Sequence, residues 1–200
     1  CTKIALTGGP CAGKSKILKC LKKYYEDRGY AVYALPESAT IFIEAGADFL
    51  TQDAHLSYVT ESEKLKFQLK MEDALLQIAA TAGKPTLFFC DRGTMDTAAY
   101  IPTQVWEKIQ DTVGMDEYQL CDERYHAVIH LCTAAKGAEK YYSLSNNNCR
   151  SESIEVARKV DDRLLFVWQR HPAFHVVKAE ENIDTKIQNV ITIIDELLNL

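Results

Sequence analysis

The chain has few features of a membrane protein, a zinc protein or a nucleic-acid-binding protein. None of its apolar runs reaches the length of about 18 residues that a membrane-spanning helix needs, so no transmembrane segment is predicted. Its seven cysteines are scattered and form no CxxC pair, which argues against a zinc site and predicts reduced thiols and a cytoplasmic location. The 23 basic residues are outnumbered by 28 acidic ones, and the net charge of −5 argues against a nucleic-acid partner.

Short apolar runs alternate with longer segments of helical period along the chain. The runs cover residues 3–7, 31–35, 86–90, 127–131 and 174–177. They are mostly apolar rather than alternating, which is typical of strands that are buried on both faces of a parallel sheet. The segments between them predict helices, among them residues 60–82, where Thr60 and Glu63 have capping-box spacing, residues 153–168 and residues 183–198.

Strands separated by helices predict right-handed crossovers and a three-layer α/β fold. We expect one domain over residues 1–200, because this length fits a single hydrophobic core. In a parallel sheet of this kind, ligands bind at the carboxyl ends of the strands. The residues that follow each strand are therefore the candidates for a functional site.

The first strand is followed by a glycine-rich run with the spacing of a phosphate-binding loop, GxxxxGK followed by Ser or Thr. The run is Gly8-Gly9-Pro10-Cys11-Ala12-Gly13-Lys14-Ser15. Glycines allow the backbone to curl so that successive N–H groups point at phosphate oxygens. Lys14 is expected to reach the β- and γ-phosphates, and the Ser15 hydroxyl to bind Mg²⁺. A chance glycine turn is the alternative, but the position between a strand and a helix favours a site for ATP or GTP.

Asp91 and Arg92 follow the third strand. An acid at the end of a buried strand is suited to hold a metal-bound water beside Ser15, so Asp91 is a candidate for the Mg²⁺ site, and a helix cap is the alternative. Arg92 is a candidate to clamp a phosphate or to position an acidic partner, and a surface salt bridge is the alternative. Asp96 lies one turn further along, and we expect it to be solvated.

Glu37 follows the second strand, where the hydroxyl of a phosphate acceptor would approach. It is a candidate general base or orienting acid, and the alternative is a helix start, where Glu in the first turn is favoured. On the long predicted helix, Gln68 and Glu72 lie one turn apart and are candidates to line an acceptor pocket. A plain core role is the alternative, because three leucines lie close to the same stripe, namely Leu65, Leu69 and Leu76.

A polar stretch follows the fourth strand and leads into the helix that carries Arg158. We expect a lid at about residues 134–158, in which Arg150 and Arg158 neutralise charge on the transferred phosphoryl group. A solvated loop with ordinary surface arginines is the alternative.

Several longer runs extend the pattern beyond the phosphate loop. They are PESAT at residues 36–40, CDRGTMD at 90–96, HLCTAA at 130–135 and CRSE at 149–152. Together with the phosphate loop, these runs resemble the NadR/Ttd-type P-loop (AAA-like) domain family. The resemblance covers residues 3 to about 177, and it is greatest to the nucleotide-binding domain of TRPL translocation defect proteins.

The resemblance implies a nucleoside-kinase-type core with five parallel strands in the order 2-3-1-4-5. Carried onto this sequence, it implies that Lys14 and Ser15 hold phosphate and Mg²⁺, with Asp91 as the acid of the metal site. It further implies that Arg92 lies beside the acceptor and that Glu37 faces it. Arg150 and Arg158 would belong to the lid.

Two functions of different classes follow from the residues and the resemblance. The first is Mg²⁺-dependent phosphoryl transfer from ATP or GTP to a hydroxyl of a small acceptor, as in ribosylnicotinamide and nucleoside kinases. The second is a nucleotide-dependent binding module with little catalysis, which recognises phosphoinositides or a protein partner. A pocket lined by Glu37 and Arg92 opposite the phosphate loop favours the first, and outward-pointing Arg150 and Arg158 favour the second.

Overall fold

The computed structural model describes residues 1–142 and 153–200, and these form a parallel sheet with helices on both faces. The five strands are β1 (Thr2–Thr7), β2 (Ala31–Leu35), β3 (Thr86–Asp91), β4 (Ala127–Leu131) and β5 (Phe174–Val177). All four neighbouring pairs are parallel, and the strand order is β2-β3-β1-β4-β5. The predicted α/β class and strand order are therefore confirmed, and each predicted strand lies within one residue of its observed bounds.

Seven α-helices of the described residues connect or flank the strands. They are α1 (Lys14–Glu26), α2 (Ser38–Glu44), α3 (Ala54–Ala80), α4 (Thr103–Val113), α5 (Glu117–Leu120), α6 (Ile154–Trp168) and α7 (Ile183–Leu198). Two short 3₁₀ helices span Thr94–Ala99 and Glu139–Tyr141. No helix in the described part of the chain combines the length and the apolar character that a membrane span requires.

The sheet separates two hydrophobic cores because successive strand side chains point to opposite faces. Ile4 and Leu6 pack on the face covered by α1 and α7, whereas Ala5 faces the side covered by α3 and α4. Trp106 of α4 and Trp168 of α6 complete this second core. The carboxyl ends of β1, β2 and β3 thus meet between the two layers of helices, at the edge where the candidate residues lie.

The long helix begins six residues earlier than the sequence predicts. Asp53 caps α3, accepting hydrogen bonds from the backbone N–H groups of His55 (2.8 Å) and Leu56 (2.9 Å). The predicted capping box at Thr60 and Glu63 is therefore wrong, since both residues lie inside the helix. An Asp side chain that satisfies two N–H groups is a sufficient start signal, and the later spacing is coincidental.

Candidate active site

The phosphate loop leads from the end of β1 directly into α1. Gly8 and Gly13 have positive φ angles, 139° and 86°, which favour glycine. At Gly8 a β-carbon would lie only 2.1 Å from the carbonyl oxygen of Leu131, so a side chain cannot be accommodated there. The loop therefore curls tightly against the end of β4, as a loop that presents its backbone to phosphate requires.

Lys14 and Ser15 stand at the start of α1, where unpaired N–H groups and the helix dipole favour anions. The Lys14 side chain is folded back over the loop, and its Nζ donates to the carbonyl oxygen of Gly8 at 3.0 Å. Lys14 is buried, whereas Ser15 is exposed. This geometry suits the phosphate contact predicted for Lys14 and the Mg²⁺ contact predicted for Ser15.

Glu37, Arg92 and Asp96 form a cluster of charged side chains beside the phosphate loop, here called the acceptor-side cluster. Arg92 donates through Nε to Glu37 Oε1, and through Nη1 to Asp96 Oδ2 at 3.0 Å. The same Nη1 lies 3.5 Å from the carbonyl oxygen of Gly8. Burial opposes the charge on Arg92, but Tyr100, Glu37 and Asp96 raise the pKa of the guanidinium well above its usual value. The residues predicted from two separate strand ends are thus brought together.

Asp96 is the main residue of this cluster that the sequence does not predict. The prediction that Asp96 is solvated is wrong, because its exposed fraction is only 3%. Besides Arg92, it accepts hydrogen bonds at Oδ1 from Thr7 Oγ1 (2.9 Å) and Trp168 Nε1 (2.6 Å). The 3₁₀ turn after Gly93 directs Asp96 inward, and its carboxylate fixes the orientation of Arg92.

Asp91 is the last residue of β3 and lies at the same edge of the sheet. Its side chain is nearly buried, and Oδ1 has no hydrogen-bond partner among the described residues. Burial raises the pKa of Asp91, Lys14 works against the rise, and Glu37 adds to it. A buried carboxylate oxygen without a partner fits a Mg²⁺ site, since Mg²⁺ prefers carboxylate and water oxygens. The 3₁₀ helix is capped at Gly93, so the structure does not use Asp91 as a helix cap.

The two predicted lid arginines have different outcomes. Arg158 lies on α6, and it donates to the carbonyl oxygen of Ala135 (2.6 Å) and to Glu139 Oε1 (2.8 Å). Its side chain is 44% exposed, so it is directed toward a surface ion pair rather than into a buried site. Arg150 lies outside the described residues.

Gln68 and Glu72 belong to a buried network below the acceptor-side cluster. Glu72 accepts from Lys3 (3.0 Å), Arg124 (2.7 Å) and the Tyr125 hydroxyl (2.8 Å), which neutralises its charge inside the protein. Gln68 donates to Glu72 and to the carbonyl oxygen of Arg92, both at 3.1 Å. The pair thus supports the main chain at Arg92.

Two further residues on helices contact the phosphate loop, and sequence reasoning missed both. Asp161 of α6 accepts from the backbone N–H of Gly9 at 2.9 Å. Lys186 of α7 donates to the carbonyl oxygens of Ala12 (2.8 Å) and Cys132 (2.7 Å). Each is a single charged residue on an amphipathic helix, so no motif marks it in the sequence.

A family model described as an AAA domain matches residues 3–186. The chain belongs to this AAA domain family. A probable thymidylate kinase of Thermococcus kodakarensis is 26% identical to this chain over an alignment of 213 residues, gaps included. The alignment covers 98% of this chain and 98% of the other.

Among solved structures, the chain is similar to deoxyadenosine kinase from M. mycoides. In complex with dCMP and dCDP that enzyme gives a TM-score of 0.60 at 18% identity, and in complex with dATP a TM-score of 0.60 at 19% identity. The match to the first of these covers 98% of this chain and 100% of the other. The comparison shows that this AAA domain has the P-loop fold of a nucleoside kinase.

Proposed function

We propose that this protein is a Mg²⁺-dependent phosphotransferase that moves the γ-phosphoryl group of ATP or GTP to a hydroxyl of a small, uncharged acceptor of nucleoside type. The observation that carries the proposal is the contact between Glu37 and Arg92 beside the phosphate loop. A carboxylate held next to a phosphate site is the group that a hydroxyl acceptor needs, because it can receive the hydroxyl proton as the phosphoryl group arrives.

On the donor side, the loop of residues 8–15 binds the triphosphate through backbone N–H groups and Lys14. The Lys14 ammonium neutralises charge on the phosphates, and catalysis of phosphoryl transfer depends mostly on such positioning and charge neutralisation. Ser15 and Asp91 would hold Mg²⁺, which supplies further charge neutralisation when bound.

On the acceptor side, Glu37 would orient the hydroxyl and accept its proton. Arg92 binds Oε1 of Glu37, and the Thr40 hydroxyl donates to Oε2 at 3.3 Å, so the carboxylate is held from both oxygens. Thr40 is a weak neutral donor at this distance, and an acceptor hydroxyl can displace it. Asp96 fixes Arg92 in turn, which gives the base a defined orientation without contact to the substrate.

Charge balance supports an uncharged acceptor over a nucleoside monophosphate. Arg92 is flanked by the carboxylates of Glu37 and Asp96. Further along α3, Lys64 is paired with Glu61, and both side chains are 9% exposed. A monophosphate adds a charge of about −1.5 to −2 and needs cationic donors that are not already neutralised. A nucleoside hydroxyl has no such requirement.

The experiment is a measurement of nucleoside diphosphate release from Mg·ATP and Mg·GTP with a panel of possible acceptors. The panel pairs thymidine, deoxyadenosine and ribosylnicotinamide with their 5′-monophosphates, and Lys14→Ala serves as the blank. We expect at least one nucleoside to stimulate release more than tenfold and its monophosphate to have little effect. Stimulation by a monophosphate alone would contradict the acceptor class, and nucleotide binding without any stimulation would contradict the kinase.

The outward placement of Arg158 is the one observation that favours the second predicted function, the binding module. That arginine is paired with Glu139, so it does not form an open cationic patch for a phosphoinositide, and we prefer the kinase.

Three of the sequence-based expectations stay predictions. They are the single domain with a lid at about residues 134–158, the NadR/Ttd-type assignment, and its link to TRPL translocation defect proteins. A cytoplasmic site of action is part of the proposal, supported by the cysteines of the described residues, which are not joined by disulfides.

A further inference from the structure

A buried carboxylate links the phosphate loop to the elements that follow β4. The side chain of Asp161, on α6, is completely buried. Its Oδ1 accepts from the backbone N–H groups of Gly9 (2.9 Å) and Thr133 (3.2 Å) and contacts His130 Nε2 at 3.1 Å. Its Oδ2 forms an ion pair with Lys136 Nζ at 2.8 Å. One side chain thus joins the loop, β4, the segment after β4, and α6.

The contact with the loop leaves little room for a side chain at position 9. A β-carbon added to Gly9 would lie 3.0 Å from both Cβ and Oδ1 of Asp161. The neighbouring segment reinforces the contact, because the Thr133 hydroxyl donates to the carbonyl oxygen of Pro10. The backbone N–H of Ala134 donates to the carbonyl oxygen of Cys11 at 3.3 Å. The first half of the phosphate loop is therefore held from outside by this group of contacts.

Asp161 is charged in this position despite its burial. Burial alone would raise the pKa of Asp161, but His130, Lys136 and the N–H of Gly9 hold it below its usual range. An Asn at this position keeps one oxygen that can face both backbone N–H groups, but that oxygen is uncharged and therefore a weaker acceptor. Its NH₂ group would take the place of Oδ2 and face the Lys136 ammonium, which is also a donor, so the ion pair would be lost.

The same contacts argue against a metal ion at this position. His130, Cys132 and Asp161 place three ligand atoms within 4.8 Å of one another, a spacing that a metal ion could bridge. The carboxylate, however, is already used by backbone N–H groups and by the Lys136 ammonium. An ammonium at 2.8 Å opposes a second cation, so the arrangement fits a hydrogen-bonded anchor.

α6 is also bound to the segment after β4 at a second point. One turn before Asp161, Arg158 donates to the carbonyl oxygen of Ala135 and to Glu139. α6 and residues 133–142 are therefore joined to each other by Arg158, and Asp161 connects both of them to the phosphate loop.

We infer that Asp161 is a positioning residue that couples nucleotide binding at the phosphate loop to the order of α6 and of residues 133–142. The inference rests on the nucleotide-binding part of the proposed function, and it does not depend on the acceptor. Because coupling between two sites is reciprocal, a nucleotide that stabilises the loop must also stabilise α6 through this contact.

The test compares Asp161→Asn with Asp162→Asn, which is a close control. Asp162 is the next residue, is 68% exposed and contacts the same Lys136, but it is not bonded to the loop. Calorimetry gives the dissociation constants for Mg·ATP and Mg·GTP at a temperature well below unfolding. Amide hydrogen exchange measures protection of residues 154–168 with and without nucleotide, and residues 103–113 of α4 serve as the reference.

In the wild type, we expect nucleotide to slow exchange in α6 more than in α4. In Asp161→Asn, the dissociation constant should rise at least tenfold and the added protection of α6 should disappear. Asp162→Asn should stay within twofold of the wild type in both measurements. These outcomes would identify coupling, because a purely structural role lowers the unfolding temperature without changing nucleotide affinity in the folded protein.

Two results would overturn the inference. One is an affinity of Asp161→Asn within twofold of the wild type. The other, which needs no variant and so remains available if Asp161→Asn fails to fold, is nucleotide-bound wild type with no added protection of α6. A wild type that binds neither nucleotide would refute the proposed function as well, and this distinguishes the two failures.

Discussion

The two walls of the candidate site are built in different ways. On the phosphate-loop wall, backbone groups of residues 8–15 are fixed by partners beneath them, such as Asp161 and Lys186. On the acceptor wall, charged side chains fix one another, with Arg92 between Glu37 and Asp96. The first arrangement determines the shape of a loop, whereas the second places ionisable groups where a proton must move. We therefore expect changes to the partners beneath the phosphate loop to affect nucleotide binding, and changes on the acceptor wall to affect turnover. Lys14 is the exception on the first wall, because its ammonium also stabilises charge on the transferred phosphoryl group.

The largest expected effect is that of Lys14→Ala, which removes the cation of the phosphate-loop wall. Turnover should fall by about 10³-fold, because the ammonium stabilises charge on the transferred phosphoryl group. The measurement is diphosphate release at saturating acceptor. Lys16→Ala, at an exposed position on the same helix, is the control and should retain activity. Turnover of Lys14→Ala close to the wild-type rate would refute the proposed role of the loop.

Glu37→Gln tests the acceptor wall directly. It removes the proposed base but keeps the size of the side chain, so kcat should fall about 10²- to 10³-fold. The dissociation constant for nucleotide should change less than threefold, because Glu37 lies outside the phosphate loop. Glu44→Gln, at the exposed end of α2, provides the matched control. If nucleotide affinity falls as steeply as kcat, the two walls are not functionally distinct.

Gly93→Ala tests how closely α6 supports the acceptor wall. A β-carbon at Gly93 would lie 2.5 Å from Trp168 Cζ2, so the indole must move and its bond to Asp96 weakens. We expect a loss of about 1–3 kcal/mol in the free energy of unfolding, measured by chemical denaturation. Trp168→Leu makes room for the added β-carbon. The double variant should therefore lose less stability than the sum of the losses of the two single variants. Strict additivity would show that the contact is not tight.

The difference between the walls also explains how far the sequence predicts this protein. The phosphate loop is contiguous, so residues 8–15 carry their own signal. Glu37 and Arg92 are distant in sequence, but they follow strands that are neighbours in the sheet, and the strand-end rule brings them together. Strand limits were predictable because buried parallel strands are continuously apolar.

The unpredicted residues depend on packing between elements. Asp96 faces inward because a 3₁₀ turn follows β3, where a solvated helix residue was expected. Asp161 and Lys186 reach the phosphate loop only because α6 and α7 pack beside it. A single charged residue on an amphipathic helix has the same appearance in sequence whether it is solvated or buried, so these contacts require the three-dimensional structure.

The smallest expected effect concerns the pH dependence of stability on the phosphate-loop wall. Burial lowers the pKa of Lys186 from its usual 10.5 to about 8, against the opposing influence of Cys132 and Asp161. Between pH 8 and 10.5 the unfolded chain therefore binds a proton at this lysine that the folded protein has released. The stability contributed by Lys186 rises with pH in this window, by at most about 1.4 kcal/mol per pH unit, and the rise levels off below the folded-state pKa.

Lys186→Met should remove this rise. The measurement is the difference in the free energy of unfolding between wild type and variant at pH 7, 8 and 9, which cancels all groups that titrate equally in both. We expect the difference to shift in favour of the wild type by only about 0.4 kcal/mol from pH 7 to 8 and by about 1 kcal/mol from pH 8 to 9. Lys178→Met, the same exchange at an exposed lysine, should show no such shift. A flat difference for Lys186→Met would mean that this ammonium keeps an ordinary pKa, and that its two carbonyl partners, the oxygens of Ala12 and Cys132, fully compensate its burial beneath the loop.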